Sequence, residues 1–225
     1  AGSAGESQVL GHTQNKEQIM GTYYRNITKF IDTIDNGTWV EIGVDRGEGS
    51  TKFFADLCKE RGVDFYGVDV DADQIDRAAS NLMVDNVLPD HVKLIQDKGE
   101  QFLENLDPEV NISLAYLDNF DWDYWLGGAE ESFVAGVKQK YRDLMNIEMT
   151  NLNSQQTHLL QAILLMRRMT DNSIVICDDT WYHPHEGVFI GKCSAAIPFL
   201  MLQGYKHLHN DGYRQNSGAI FGRFK

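Results

Sequence analysis

A glycine-rich turn between an apolar strand and a helix is the feature that most restricts how this chain can fold. The segment reads WVEIGVDRGEGSTKFF over residues 39–54. Gly43, Gly47 and Gly49 follow the strand-like run, and Ser50 begins the helix-like run. Glycine tolerates positive φ and has no Cβ, so such a turn can bring backbone N–H groups against a ligand at a helix N-terminus. The segment therefore predicts a ligand site where a first strand meets a first helix.

Strand and helix patterns alternate along the rest of the chain. Short apolar runs predict strands, and apolar residues at three- and four-residue steps predict helices. The predicted strands span residues 38–42, 64–70, 91–96, 112–117, 173–177, 205–208 and 219–223, and the predicted helices span 50–61, 72–84, 100–106, 130–145, 157–169 and 192–203. This alternation is typical of right-handed β-α-β units, so it predicts an α/β fold with a doubly wound, mostly parallel seven-stranded sheet and helices on both faces.

Two segments interrupt or precede this alternation. Residues 1–37 predict a tail and an amphipathic helix that ends near Asn36 and Gly37. Residues 119–154 predict a lid-like insertion, with an aromatic and acidic cluster, a helix and a polar stretch. At 225 residues the chain can bury one large core, so residues 38–225 are predicted to form one domain.

The composition argues against several classes of partner. Lys and Arg number 20 against 33 Asp and Glu, a formal charge of −13 that repels nucleic acid and anionic lipid surfaces. No apolar run approaches the roughly 20 residues of a membrane span. Cys58, Cys177 and Cys193 each lie among apolar residues and are predicted to be reduced core residues. We therefore expect a cytoplasmic protein with a small-molecule partner, and a homodimer stays open.

Acidic residues accompany the glycine turn. Glu41 comes two residues before Gly43, and Asp69 ends the second predicted strand, where a carboxylate can accept hydrogen bonds from both hydroxyls of a ribose. The turn lacks the G-x-G-x-x-G order of dinucleotide sites. An acid, a glycine turn and a ribose-binding acid together predict a site for a nucleoside that carries a positive group.

In these residues the sequence resembles the class I S-adenosylmethionine-dependent methyltransferases, over about residues 38–225. The resemblance implies their Rossmann-like sheet and S-adenosylmethionine as cofactor. It implies that Glu41 helps to hold the amino group of the methionine part, that Asp69 binds the ribose and that Val70 flanks the adenine. The other implied cofactor-binding positions are Gly43, Asp45, Gly47, Gly49, Ser50, Asp97, Lys98, Gly99 and Asp118.

Three aspartates follow two further predicted strands. Asp118 ends the run LAYL, and Asp178 and Asp179 end the run IVIC. Strand ends share one edge of the sheet, and three carboxylates there repel one another unless a proton or a cation intervenes. Mg²⁺ prefers oxygen ligands, so a magnesium site is predicted, although a helix-capping role for these acids stays open. YLDNF and CDDT also resemble the metal-binding segments of catechol O-methyltransferases and macrolide-sugar O-methyltransferases, which implies the same ion.

The general base does not follow the catechol-type pattern. Those enzymes carry a lysine three residues after the first aspartate, and here that position is Asp121. His183 and His185, in the segment WYHPHEG, are predicted to take this role, with Asp121 and His158 as alternatives.

These residues predict a magnesium-assisted O-methyltransferase that acts on a sugar or phenol hydroxyl of natural-product type. Two alternatives stay open. The first is a metal-independent methyltransferase acting on oxygen or nitrogen, and the second is a cofactor-binding protein without turnover.

Overall fold

The computed structural model of the chain describes residues 23–121, 130–210 and 218–225. Its strands are β1 (Thr38–Ile42), β2 (Phe65–Asp69), β3 (Val92–Gln96), β4 (Ile112–Leu117), β5 (Met169–Cys177), β6 (Thr180–His183), β7 (Val188–Gly191), β8 (Lys206–Asn210) and β9 (Ala219–Arg223). Its α-helices are α1 (Ser50–Arg61), α2 (Ala72–Leu82), α3 (Gly99–Asn105), α4 (Glu131–Met145), α5 (Asn151–Leu165) and α6 (Ala196–Leu202). Two short 3-10 segments, Tyr23–Lys29 and Ile31–Thr33, precede β1.

The main sheet has seven strands in the order β3-β2-β1-β4-β5-β9-β8. Strands β1 to β5 pair in parallel, whereas β9 runs antiparallel to both β5 and β8. The predicted doubly wound, mostly parallel seven-stranded sheet is therefore confirmed. The strand order reverses between β1 and β4, and in such sheets ligands bind outside the carboxyl ends of the strands at this reversal.

Apolar side chains cover both faces of the central strands. On one face Trp39 of β1 packs with Phe54 of α1 and Tyr116 of β4. On the other face Val40 and its neighbours belong to a second buried cluster with α3 and α5. Parallel strands covered on both faces are apolar almost without interruption, which explains the continuous runs in the sequence.

The segment before β1 and helix α5 differ from their predictions. The residues predicted as an amphipathic helix before β1 form 3-10 turns from residue 23 onward, and residues 1–22 lie outside the described ranges. Helix α5 begins at Asn151, not near residue 157, because the Thr150 hydroxyl accepts the N–H of Asn153 at 3.1 Å and caps the helix. The polar stretch that was predicted to precede the helix thus forms the beginning of α5.

A β-hairpin, β6 and β7, occupies residues that the sequence analysis left without regular structure. The two strands pair antiparallel, from Thr180 opposite Gly191 to His183 opposite Val188. Helix α6 consequently begins at Ala196 and not near Lys192. The hairpin starts directly after Asp179, and its length determines which later residue lies beside the carboxyl end of β5.

The aromatic and acidic cluster predicted in the insertion falls largely on residues 122–129, outside the described ranges. Of the helices that the structure describes, none is long and apolar enough to cross a membrane.

Candidate functional site

A cavity of about 660 Å³ lies at the carboxyl ends of the central strands, within the size range of small-molecule sites. Its charged lining residues are Asp45, Asp69, Asp71, Asp97, Asp118, Asp121, Asp178 and Asp179, with Lys98, Lys140 and Lys192. Because carboxylates outnumber ammonium groups, this wall favours a ligand that carries positive charge.

The glycine turn packs backbone against backbone. Gly43 has a φ of 97°, and a Cβ there would lie 2.6 Å from the backbone nitrogen of Asn119. Gly47 has a φ of 76°, and its Cβ would lie 2.4 Å from the Cα of Ala78 in α2. Only glycine fits at these two positions. Gly43 lets the end of β1 contact the segment after β4, and Gly47 lets the turn contact α2.

Some residues of the turn line the cavity, and the others lead from the cavity into α1. Gly43 and Asp45 line the cavity, and Asp45 has a φ of 44°, which is uncommon for a residue other than glycine. Gly47, Gly49 and Ser50 are not part of the lining. Gly49 precedes α1 with a φ of 66°, and Ser50 is the first residue of that helix.

Asp69 is fixed by two backbone hydrogen bonds at the end of β2. Its Oδ2 accepts the N–H of Val44 at 3.2 Å, and its Oδ1 accepts the N–H of Asp71 at 2.9 Å. Burial raises the pKa of Asp69, and the two N–H groups oppose this rise. The carboxylate is thereby oriented beside the glycine turn, and Val70 follows it in the lining.

The segment after β3 forms the neighbouring part of the wall. Asp97 accepts the N–H of Lys98 at 2.8 Å, and the Lys98 ammonium donates to the carbonyl of Met145 at 2.8 Å. A Cβ on Gly99 would lie 2.4 Å from Cγ2 of Ile42, so α3 can approach β1 closely. The structure thus brings the predicted residues after β2 and β3 to one side of the cavity.

Glu41 is fully buried in β1, next to the cavity but not part of its lining. Neither carboxyl oxygen has a hydrogen-bond partner in the part of the chain that the structure describes. Burial raises the pKa of Glu41 to about 8, although the nearby hydroxyls of Ser50 and Thr51 act to lower it. A buried carboxyl without a partner is costly, so this position fits a cationic ligand group that would compensate it.

Asp118, Asp178 and Asp179 converge as expected, and the cation among them is Lys192. The Lys192 ammonium lies 3.0 Å from Oδ1 of Asp118, 3.4 Å from Oδ2 of Asp178 and 3.1 Å from Oδ2 of Asp179. Lys192 is 2% exposed. Burial would lower the pKa of this ammonium, but the three carboxylates outweigh burial and raise the pKa well above its usual value.

The three carboxyls titrate as a group. Burial and the charge of Asp178 raise the pKa of Asp118 well above its usual value. Burial acts in the same direction on Asp178, but the Lys192 charge and several hydrogen bonds outweigh it and lower the pKa. The hydroxyl of Tyr116, beneath the pair, lies 3.3 Å from Asp118 Oδ2 and 3.2 Å from Asp178 Oδ1. The charges of Asp178 and Lys192 thus act in opposite directions on this group, so the carboxyls titrate together and not one by one.

The predicted magnesium site is not supported by this arrangement. Lys192 already supplies the cation that the carboxylates require, and a Mg²⁺ ion would meet its ammonium. Across residues 23–121, 130–210 and 218–225, no group of three or more His, Cys, Asp or Glu side chains is placed to hold a metal ion. The residues present therefore do not fit Mg²⁺.

Lys192 is the most consequential of the site residues that the sequence analysis missed, which also include Asp71, Lys140 and Tyr141. It follows β7 directly, and the β6–β7 hairpin returns it to Asp179, whose carbonyl accepts the Lys192 N–H at 3.2 Å. A single lysine inside the apolar run VFIGKCSAAIPFL is the signal that could have identified it. A charge in such a run is buried only when a partner compensates it.

The structure does not bring the two predicted histidines to the cavity. His183 ends β6 and His185 lies in the turn before β7, with ring centroids 6.1 Å apart, and neither lines the cavity. The alternative His158 is fully buried in α5, where Nδ1 contacts the Ser154 carbonyl at 2.7 Å and burial lowers its pKa to about 4. Among the base candidates, Asp121 lines the cavity.

Helix α4 closes one side of the cavity. Val137, Lys140, Tyr141, Leu144 and Met145 contribute to the lining. The Tyr141 hydroxyl accepts the N–H of Asp121 at 2.6 Å, and Lys140 lies 2.6 Å from Asp71. Helix α4, which belongs to the predicted insertion, therefore forms a wall of the site.

No protein-family model matches the chain, and no curated protein matches its sequence. Solved structures of methyltransferases do resemble it. A putative O-methyltransferase from Klebsiella pneumoniae is 15% identical with a TM-score of 0.56, over 96% of this chain and 83% of that chain. A putative rRNA-methylase from Clostridium thermocellum is 13% identical with a TM-score of 0.54, over 92% of this chain and 99% of that chain.

The glycopeptide N-methyltransferase MtfA, complexed with (S)-adenosyl-L-homocysteine, is 8% identical with a TM-score of 0.51, over 91% of this chain and 90% of that chain. At such low identities the likeness establishes the fold alone. The chain has the Rossmann-like fold of the class I S-adenosylmethionine-dependent methyltransferases.

Proposed function

We propose that this chain transfers a methyl group from S-adenosylmethionine to a hydroxyl oxygen of a small molecule. The observation that carries the proposal is the acidic cavity at the strand reversal, where the glycine turn orients Asp69 beside a buried Glu41 whose oxygens accept no hydrogen bond from the described residues. S-adenosylmethionine offers the complementary groups, a ribose diol, an ammonium and a sulfonium. The structural likeness to an S-adenosylhomocysteine complex supports the same cofactor.

The residues of the first three strand ends would hold this cofactor. Asp69 would accept hydrogen bonds from the ribose hydroxyls, and Glu41 would compensate the ammonium. Val70, Asp97 and Gly99 would surround the adenine. When bound, the cofactor supplies an electrophilic methyl group on sulfur.

The ends of β4 and β5 would bind the acceptor. Asp121 would accept the hydroxyl proton while the new carbon–oxygen bond forms and the carbon–sulfur bond breaks. Helix α4 would exclude water and keep the reacting oxygen in line with the methyl group, and such placement is the main source of rate in methyl transfer. No step requires a metal ion, because Lys192 and not Mg²⁺ compensates the carboxylates here.

Methyl transfer to nitrogen is the second candidate. Eight aspartates against three lysines in the lining favour a neutral or cationic acceptor over a phosphate, so an amine suits this wall as a hydroxyl does. The same charge balance argues for a small molecule and against a nucleic acid. Acceptor panels of sugars, phenols and amines, with radiolabelled methyl groups, would separate the two candidates.

Calorimetric titration with S-adenosylmethionine tests the cofactor. Asp69→Asn should weaken binding by about 10- to 150-fold, since hydrogen bonds to a charged group contribute about 1.5–3 kcal/mol. Asp64→Asn is the matched control, because Asp64 is partly exposed outside the cavity, where its Oδ2 lies 3.0 Å from Lys93. Absence of binding to the wild type, or equal affinities for both variants, would contradict the proposal.

A further inference from the structure

We infer that Lys192 is the permanent counter-cation of the acceptor site, in the position where a divalent ion would otherwise bind, and that the site therefore works without a metal. This inference rests on the proposed function, since the acceptor site is the one described for methyl transfer. Lys192 is a positioning residue here: it holds the three carboxylates and takes no part in the chemical step.

The first argument is the geometry of the ammonium group. It has three protons, and three different carboxylates lie within 3.0 to 3.4 Å of the nitrogen. One donor for each acceptor uses all of its hydrogen-bonding capacity. A metal ion bound to these oxygens would displace the ammonium and leave it buried without compensation, which is strongly unfavourable.

The second argument is that the backbone holds Lys192 in place from both sides. Its own N–H donates to the carbonyl of Asp179 at 3.2 Å, and the next N–H, that of Cys193, donates to the Thr180 hydroxyl at 3.1 Å. Both contacts close the base of the β6–β7 hairpin. The ammonium therefore cannot leave the carboxylates without a large rotation of a buried side chain or opening of the hairpin.

The third argument is that other groups already engage the remaining oxygens. The Tyr116 hydroxyl is within 3.3 Å of Asp118 Oδ2 and 3.2 Å of Asp178 Oδ1, the oxygens that Lys192 does not contact. A metal site would need these oxygens turned toward one point in the cavity. Here Lys192 on one side and Tyr116 on the other keep the oxygens of Asp118 and Asp178 from turning toward one point.

The experiment compares Mn²⁺ binding by the wild type and by Lys192→Met, measured by electron paramagnetic resonance. The wild type should bind no Mn²⁺ in the low millimolar range. Lys192→Met has three uncompensated carboxylates, so it should gain one Mn²⁺ site with a dissociation constant at least about tenfold below that range. Lys140→Met is the matched control, because Lys140 lines the same cavity but contacts one carboxylate, that of Asp71. It should behave like the wild type.

S-adenosylmethionine binding is measured by calorimetry on the same samples, which separates the two proposals. A Mn²⁺ site in Lys192→Met without cofactor binding in any sample would keep the inference and remove the proposed function. A folded Lys192→Met that binds no Mn²⁺ would overturn the inference, and so would a wild-type Mn²⁺ site that Asp178→Asn abolishes. If Lys192→Met folds neither alone nor with Mn²⁺, Mn²⁺ binding is compared between the wild type and Asp178→Asn. A wild type that binds no Mn²⁺ supports the inference, and a wild-type site that Asp178→Asn abolishes overturns it.

Discussion

A Cβ atom on Gly191 would lie 1.9 Å from the carbonyl oxygen of Asp179. Gly191 also has a φ of 120°, which side chains rarely tolerate. The backbones of Asp179 and Gly191 are therefore in direct contact at the base of the β6–β7 hairpin. Asp179 directly follows Asp178, and Gly191 directly precedes Lys192. The site depends on a glycine that contributes no functional group to it.

Gly191→Ala should lower the free energy of unfolding by at least about 3 kcal/mol, because the new methyl group adds a backbone clash to a strained φ. Gly187→Ala in the same hairpin is the control. Its φ is 67°, and among the described residues its Cβ would meet only the Tyr182 hydroxyl, at 3.8 Å. It should cost about 1–2 kcal/mol, from the left-handed backbone alone. Urea denaturation measures both, and equal losses would show that the hairpin base can open cheaply.

Glu41→Gln should change how stability depends on pH. The folded-state pKa of Glu41 is raised to about 8 from an ordinary value of 4.5, so between these pH values the folded protein holds a proton that the unfolded chain releases. The contribution of Glu41 to stability therefore decreases as pH rises through this window. Relative to wild type, the glutamine variant should gain about 4 kcal/mol between pH 5 and pH 8.5 in urea denaturation. Parallel pH profiles would contradict the assignment.

Proton release on cofactor binding provides a second test of Glu41. At pH 7 the raised pKa keeps this carboxyl protonated in the free protein, and a cationic ligand group beside it favours the ionised form. Binding of S-adenosylmethionine should therefore release close to one proton. Calorimetry in buffers of different ionisation enthalpy measures this number. Glu41→Gln should release about one proton fewer, and an unchanged number would remove Glu41 from the cofactor site.

Most of the fold and one side of the site could be predicted from local sequence patterns. The strand at 112–117 and the helix at 50–61 were predicted to the residue, since buried parallel strands and a glycine-capped helix have strong short-range signals. The meeting of Asp118 with the Asp178 and Asp179 pair also followed from sequence, because parallel strand ends share one edge.

What the sequence analysis missed depends on contacts between distant segments. The β6–β7 hairpin has a weak pattern in sequence, and without it nothing indicated that Lys192 returns to Asp179. The metal was inferred because the compensating charge was not recognised. The error at α5 is different in kind: the Thr150 cap is a local signal, and the polar residues after it concealed the start of the helix.

Helix α4 should be the least protected helix that the structure describes. Only Met145 is buried among its 15 residues, whereas α5, of equal length, buries seven. Amides of α4 should therefore exchange with deuterium at least about tenfold faster than those of α5, because local opening costs little where few apolar contacts are lost.

S-adenosylmethionine should slow exchange in α4, because this helix lines the cavity, and should leave the central part of α5 unchanged. Hydrogen exchange followed by mass spectrometry of peptides 131–145 and 151–165 measures both effects. Equal exchange in the two helices would mean that α4 is held more firmly than its packing indicates.

Tyr116→Phe isolates the hydroxyl beneath the aspartate pair. The ring is buried among aromatic neighbours and should stay in place, so the variant removes only the hydroxyl that contacts Asp118 and the ionised Asp178. We expect a loss of about 1.5–3 kcal/mol in the free energy of unfolding at pH 7, the usual contribution of a hydrogen bond to a charged group.

Tyr205→Phe is the matched control for this change. Its hydroxyl lies 2.7 Å from the hydroxyl of Ser173, equally buried but between neutral groups. A neutral pair contributes about 0.5–1.5 kcal/mol, so this variant should lose less in the same urea titration. Because Tyr116 also restrains the carboxylates that Lys192 holds, only Tyr116→Phe should alter the pH dependence of unfolding. A larger loss for Tyr205→Phe would mean that the Tyr116 hydroxyl does not stabilise an ionised Asp178.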